Sequence, residues 1–293
     1  MPITVYSILH IKTWNKLNNI VEKNIIERLS LIISSQKVFD LILDNQNNIR
    51  IVDTRSFNEY LKGHIPGAIN IELMQYHWND TSKQGITGFN RQMRHLFSNI
   101  GITGKTFLIF YDNISGPSAA RGVWLSLYFS HNKVAMLDGG FTSWERENRP
   151  IENKTESFRY VKIDKPPDET ILADYKTLLD SISDKKKNQI IIDSRSSKEY
   201  SGDQIRALRG GHIPGAINID WKENILIDKF KSLDDIKKLY SSFSKNQPLI
   251  TYCQGGYRAA NTFVILKELG FKNVKMYLGS WNEWGNNSRL PIE

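Results

Sequence analysis

A chain of 293 residues, 40% of them apolar, is long enough for two globular domains that each bury a core. No apolar run reaches the roughly 18 residues that a membrane-crossing helix needs, so neither an integral membrane segment nor a secretory leader is expected. The net charge of +8 is dispersed, with lysines and acids interleaved as in residues 229–238, which predicts steering of a small anion and no nucleic-acid partner.

Residues 1–30 form an extension in which Ile8, Ile11, Leu17, Val21, Ile25 and Leu29 approximate a helical stripe that could dock on the body, a partner or a membrane surface. A first unit is expected over 31–150. Its short apolar runs Ile49–Val52, Phe107–Tyr111 and Val134–Leu137 lack amphipathic spacing and read as buried parallel strands, with helical segments between them. Polar residues and Pro166-Pro167 mark a linker over 151–168, after which Asp168 and Glu169 open a helix. The second unit, 169–293, alternates in the same way. Ala259, Phe263, Leu266 and Leu269 line one helical face, Gly270 ends the helix, and Val274–Leu278 resumes as a strand.

The two units are one pattern written twice, offset by roughly 140 residues. Asp53-Thr-Arg55 with Glu59-Tyr60 matches Asp193-Ser-Arg195 with Glu199-Tyr200. Gly63-His-Ile-Pro-Gly-Ala-Ile-Asn70 recurs unchanged at 211–218, Phe107–Asp112 matches Pro248–Cys253, and Leu137-Asp-Gly-Gly-Phe-Thr-Ser-Trp144 matches the stretch from Leu278 to Trp284. Alternating strands and helices imply an α/β class with mostly parallel sheets flanked by helices.

Cys253, the single cysteine, excludes an internal disulfide and a cysteine-rich metal site, and suits a reducing, cytoplasmic setting. Taken alone it is either a small buried hydrophobe or a reactive thiol. Its loop, Tyr252-Cys253-Gln254-Gly255-Gly256-Tyr257-Arg258, follows a strand and precedes a helix beginning near Ala259, which is where sites form in parallel sheets. Gly255 and Gly256 let the backbone curl so that N–H groups and the helix dipole face an anion. A helix N-terminus with a nearby cation lowers a cysteine pKa from about 8.5 by a unit or more, so reactivity at neutral pH is expected. Cysteine-loop phosphatases are the rival reading, but here the arginine follows after four residues where theirs follows after five, a tighter loop with little room for a phosphoryl group.

These blocks resemble the rhodanese family, specifically the tandem two-domain sulfurtransferases, from about Ser34 to the end. The resemblance implies two rhodanese-like domains, the first non-catalytic with Asp112 at the cysteine position, and the second holding a transferred sulfur as a Cys253 persulfide. It implies no metal and no organic cofactor. The partners implied are a small anionic donor, thiosulfate, and a nucleophilic acceptor, cyanide or a thiol. Gln254, Gly255, Gly256 and Tyr257 would contact substrate. Arg258 either anchors the donor or lowers the Cys253 pKa, or else pairs with Asp193 or Glu199. Arg206 and Arg209, in residues 201–209 that the first unit lacks, either reach thiosulfate or belong to a solvated loop. Asp193 and Arg195 are read as structural because Asp53 and Arg55 duplicate them in the half without a cysteine, and His64 and His212 stabilise turns. The loop lacks the Cys-Gly-Ser-Gly-Val of 3-mercaptopyruvate enzymes, and Glu199 stands where those carry an arginine. The Cys-Arg-Lys-Gly loop specific to thiosulfate enzymes is absent as well, but a Cys-Gln loop bearing an arginine suits a compact dianion, so thiosulfate is the expected donor, with 3-mercaptopyruvate transfer or persulfide carriage to a dedicated protein as alternatives.

Overall fold

The structure, a computed structural model, describes residues 30–44, 48–184 and 188–293; the stripe read over residues 8–29 lies outside the described residues. Among the described residues no helix is long and apolar enough to cross a membrane.

Two five-stranded sheets carry the fold. The first takes β1 (Ile32–Ile33), β2 (Ile49–Asp53), β3 (Ala68–Asn70), β4 (Phe107–Tyr111) and β5 (Val134–Leu137) in the order β1-β5-β4-β2-β3. The second takes β6 (Leu172–Ala173), β7 (Ile190–Asp193), β8 (Ile217–Asn218), β11 (Leu249–Tyr252) and β12 (Val274–Tyr277) in the equivalent order β6-β12-β11-β7-β8. All pairings within both sheets are parallel. Continuous apolar runs such as Leu108–Tyr111 and Leu249–Tyr252 are buried throughout, as strands covered on both faces must be. The expected α/β class and its duplication are thus present in the structure.

Helices α1 (Ser35–Leu43), α2 (Phe57–Lys62), α3 (Lys83–Ser98), α4 (Pro117–Tyr128) and α5 (Gly140–Arg146) flank the first sheet. Helices α6 (Tyr175–Ser183), α7 (Ser197–Ser201), α8 (Leu233–Leu239), α9 (Tyr257–Glu268) and α10 (Ser280–Trp284) flank the second. The helix expected to open at Asp168 is a single 3-10 turn, Glu169–Ile171, capped by the Asp168 side chain. A hairpin found only in the second half, β9 (Ile225–Leu226) with β10 (Lys229–Phe230), reaches back to the first: Ser115 N–H donates to Asp228 O at 2.8 Å and Phe230 N–H to Asp138 at 3.0 Å.

The two halves meet through α4 and α9, the most extensive helix pairing among the described residues. This corrects the one-sided face expected for the second helix. Ala260, Asn261, Thr262, Val264 and Ile265 are buried as well, because α9 lies between its own sheet and α4. A helix apolar on nearly all sides is one packed on nearly all sides. The central core is accordingly shared, running from Val52, Phe110 and Trp124 to Ile192, Phe263 and Met276, and each sheet has a second core on its outer face.

Candidate active site

Cys253 follows β11 directly. Its loop is held from beneath by the turn that opens α10: Cys253 N–H donates to Ser280 Oγ at 3.2 Å, Cys253 O accepts from Trp281 N at 2.9 Å, and Gln254 O accepts from Asn282 N at 2.8 Å. Helix α9 starts at Tyr257, two residues before the expected Ala259, because Gly256 adopts a left-handed φ of 85° and turns the chain straight into the helix. That turn aims the Gly256 N–H at Cys253 Sγ, 3.2 Å away. Cys253 is 1% exposed and lines a cavity of about 550 Å³ between the two halves.

Cys253, Gln254, Gly255, Tyr257, Arg258 and Arg206 line this cavity; Gly256 is not among its lining residues. Gln254 is tied to Arg206 O at 3.0 Å and Asn282 Oδ1 at 2.7 Å. Tyr257 points its hydroxyl across the interface, donating toward Leu73 O and Tyr76 O. Burial pushes that hydroxyl up to about 12, against the opposing field of Arg121, so it stays protonated at neutral pH. Arg258 grips Glu199 with both ends of its fork, at 2.6 and 2.9 Å, rather than Asp193. Arg206 stands 3.5 Å from the same carboxylate with its side chain 53% exposed. Burial opposes the ionised form of Glu199, but the hydrogen bonds and charge of Arg258, aided by Ser196, hold it down at about 2.

Arg209 is corrected. It does not line the cavity but donates to four backbone carbonyls, those of Trp284, Gly285, Asn287 and Leu290. These carbonyls lie at the C-terminus of α10 and in the turn after it, which leaves acceptors that a planar five-donor side chain satisfies at once. Asp193 and Arg195 pair at 2.6 Å, with Tyr252 Oη donating to Asp193 and Arg195 to Gly211 O. Asp53, Arg55, Tyr111 and Gly63 repeat the arrangement in the first half. His64 and His212 stack on Tyr60 and Tyr200 at 3.8 and 3.7 Å, and each bonds the carbonyl of that tyrosine.

The first half supplies the facing wall, including Glu59, Glu72, Met74, His77 and Asp112. Asp112 accepts N–H bonds from Asn113 and Ser118 at 2.7 and 3.0 Å, so a carboxylate occupies the cradle that holds sulfur in the other half. Burial raises its pKa, and the two N–H donors oppose that rise. Two residues near the sulfur carry no motif. His77 lies where a side chain at Gly255 would begin, its Nδ1 3.1 Å from that point. Arg121 lies behind the Gly256 turn and is 2% exposed. The signal for Arg121 was a divergence inside the repeat: Ala119-Ala120 matches Ala259-Ala260, and the next residue is arginine in one half and asparagine in the other.

The Rhodanese-like domain family profile matches twice, over residues 35–147 and 175–287. Among curated proteins, the sulfur carrier protein TtuD of Thermus thermophilus is 32% identical over 265 residues, covering 86% of this chain and 90% of that protein. The thiosulfate sulfurtransferase of Azotobacter vinelandii is 31% identical over 250 residues, covering 83% and 90%. Among solved structures, the 3-mercaptopyruvate sulfotransferase SseA of Escherichia coli superposes with a TM-score of 0.70 at 25% identity, over 86% of this chain and 99% of that one. With the domain matched in both halves and a cysteine in the second alone, the chain belongs to the rhodanese-like family as a tandem of two such domains.

Proposed function

We propose that the protein is a sulfurtransferase that moves the outer sulfur of thiosulfate, through a Cys253 persulfide, to cyanide or a thiol. The observation that carries this reading is Cys253, a lining residue of the interdomain cavity with the Gly256 N–H 3.2 Å from its sulfur. In the first step the thiolate attacks the outer sulfur of thiosulfate. The sulfur–sulfur bond of the donor breaks, sulfite leaves with the electron pair, and Cys253 carries a terminal sulfur anion. In the second step the acceptor attacks that terminal sulfur and the thiolate returns; cyanide leaves as thiocyanate. The backbone N–H donor and the positive end of α9 serve both anions without moving.

Support for thiosulfate comes from the cations at the cavity mouth. Arg206 is more than half exposed and meets Glu199 through one nitrogen at 3.5 Å, a looser contact that leaves the rest of its fork to a compact dianion, while Arg258 is held by Glu199 at both ends and is not free to grip a keto-acid carboxylate. Side-by-side assays with thiosulfate and 3-mercaptopyruvate as donors and cyanide as acceptor test the choice. A higher kcat/KM for 3-mercaptopyruvate would overturn it. Cys253→Ala should abolish transfer, and mass spectrometry of thiosulfate-treated protein should place one added sulfur on the Cys253 peptide and nowhere else.

A second reading, delivery to a protein acceptor, is favoured by Ile205 and Leu208, which are 62% and 82% exposed and flank in sequence Arg206, a lining residue of the cavity. Repeated turnover on cyanide supports the enzyme. Stoichiometric loading that stops after one sulfur supports the carrier.

A further inference from the structure

Arg121 is a charged side chain from the half without a cysteine, buried to 2% exposure, and it reaches into the other half as far as Met276 Sδ of β12, at 3.7 Å. Its remaining neighbours are the rings of Trp124, Tyr257 and Phe89, at 4.8, 5.4 and 5.7 Å. No carboxylate of the described residues accounts for its charge. Burial depresses its pKa, and the two groups that counter the depression are Tyr257 and Cys253. A guanidinium stripped of water costs several kcal/mol unless an anion faces it. The three ring faces offset part of that cost; Tyr257, held protonated, is not the anion, and the group beside Arg121 that can become one is Cys253.

Contact runs through the Gly256 turn. A guanidinium nitrogen of Arg121 lies 3.0 Å from where a Gly256 side chain would begin, and the N–H of the same glycine faces Cys253 Sγ. The pseudo-symmetry of the halves isolates what is special on this side. Arg121 follows Ala119-Ala120 on α4, and Asn261 follows Ala259-Ala260 on α9. Asn261 also crosses the interface, donating to Ser115 O in the loop after Asp112 at 2.9 Å. Each half thus reaches from one matching position into the loop of the other. The loop with the nucleophile receives a cation, and the loop with the carboxylate receives a neutral amide.

We propose that Arg121 is the buried counter-charge of the sulfur anion on Cys253, a positioning residue that acts in trans through the Gly256 turn. This rests on the reading of Cys253 as the sulfur carrier. Arg258 is a second cation that feels the Cys253 charge, but both ends of its fork are held by Glu199, so its charge is shared where that of Arg121 is not. Asp193 beyond it is paired to Arg195; His77 and Asp112 face the loop from the opposite wall; Ser280 is neutral.

The test is the pH profile of iodoacetamide alkylation at Cys253, the only thiol in the full-length chain. In Arg121→Met the profile should move to higher pH and the rate at neutral pH should fall roughly tenfold, the size of one pKa unit. Arg121→Lys should recover part of the loss. A merely structural role would lower the thermal midpoint without moving the profile, so a folded Arg121→Met with the wild-type profile overturns the proposal. If neutral variants at 121 do not fold, wild type against Cys253→Ser decides it. Their stability gap should widen as pH rises through the alkylation midpoint, because serine leaves the cation without its anion, and a gap independent of pH overturns the proposal. Alkylation needs no sulfur donor. Failure with thiosulfate beside a displaced Arg121→Met profile would therefore overturn the proposed donor and leave this inference standing.

Discussion

Both arginines at the cavity mouth converge on Glu199, which is 3% exposed and grips Arg258 at two points. Its carboxyl is held at about 2, below the ordinary 4.5. A depressed acid contributes stability that is complete above its unfolded value and lost as pH falls through the folded one. The window is thus from pH 4.5 down to about 2, and the contribution is on the order of 3 kcal/mol. In urea titrations across this window wild type should lose stability more steeply than Glu199→Gln, which in turn should be the weaker protein at neutral pH because Arg258 is left without its partner. Parallel pH profiles would contradict this assignment. The sequence offers Arg258 two acids and no means of choosing between them. The choice follows from local geometry: Arg195 lies two residues from Asp193 and takes it, so Glu199 remains. Arg209 escaped for a related reason. An arginine in a loop reads as exposed charge, whereas its partners here are backbone carbonyls, which every residue carries and no motif marks.

The strand–turn–helix elements around Cys253 are legible because their signals are local: an apolar run, two glycines, a helical face. The structure divides the work of those glycines. Gly256 requires its left-handed φ of 85° and also has no room, since a Cβ there would lie 3.0 Å from Arg121 and 3.2 Å from Leu278 O. Gly255 is limited by room alone, with His77 at 3.1 Å and Asn282 at 3.2 Å. Gly256→Ala should therefore cost about 1–3 kcal/mol in chemical unfolding and slow alkylation of Cys253, because the N–H on its sulfur must shift. Gly215→Ala serves as the control. It has a similar φ of 73° with nothing within 4 Å, so it should show the conformational cost without the loss of reactivity. Equal effects on reactivity would mean that the loop tolerates a displaced N–H. The burial of α9 on several sides was not legible, since α4 in the other unit packs against it, and no periodicity in one helix reports its partner.

At the scale of the whole molecule the half without a cysteine is a working part of the site. It provides one wall of the cavity, the carbonyls that hold Tyr257, and Thr81, which donates through both its N–H and its hydroxyl to Glu283 at 2.7 and 2.6 Å. Residues 169–293 alone would expose the apolar face of α9 to water. Such a fragment should aggregate or melt well below the full chain and show little transfer from thiosulfate, as followed by light scattering, thermal unfolding and the cyanide assay. Full activity in a stable fragment would rule out the shared site. The duplication itself is plain in the sequence, but the way the copies face each other is not, because contacts between Tyr257 and Tyr76 or between Arg121 and the Gly256 turn join residues that no local pattern connects. These ties also decide what can reach the sulfur. A slot whose two jaws are riveted together by a common core does not open to admit a bulky visitor, so a folded acceptor must present its nucleophile on a slender projection, a tail or loop thin enough to enter. Selection among protein acceptors would then be made by reach, and a blunt thiol-bearing surface would be refused however reactive its sulfur.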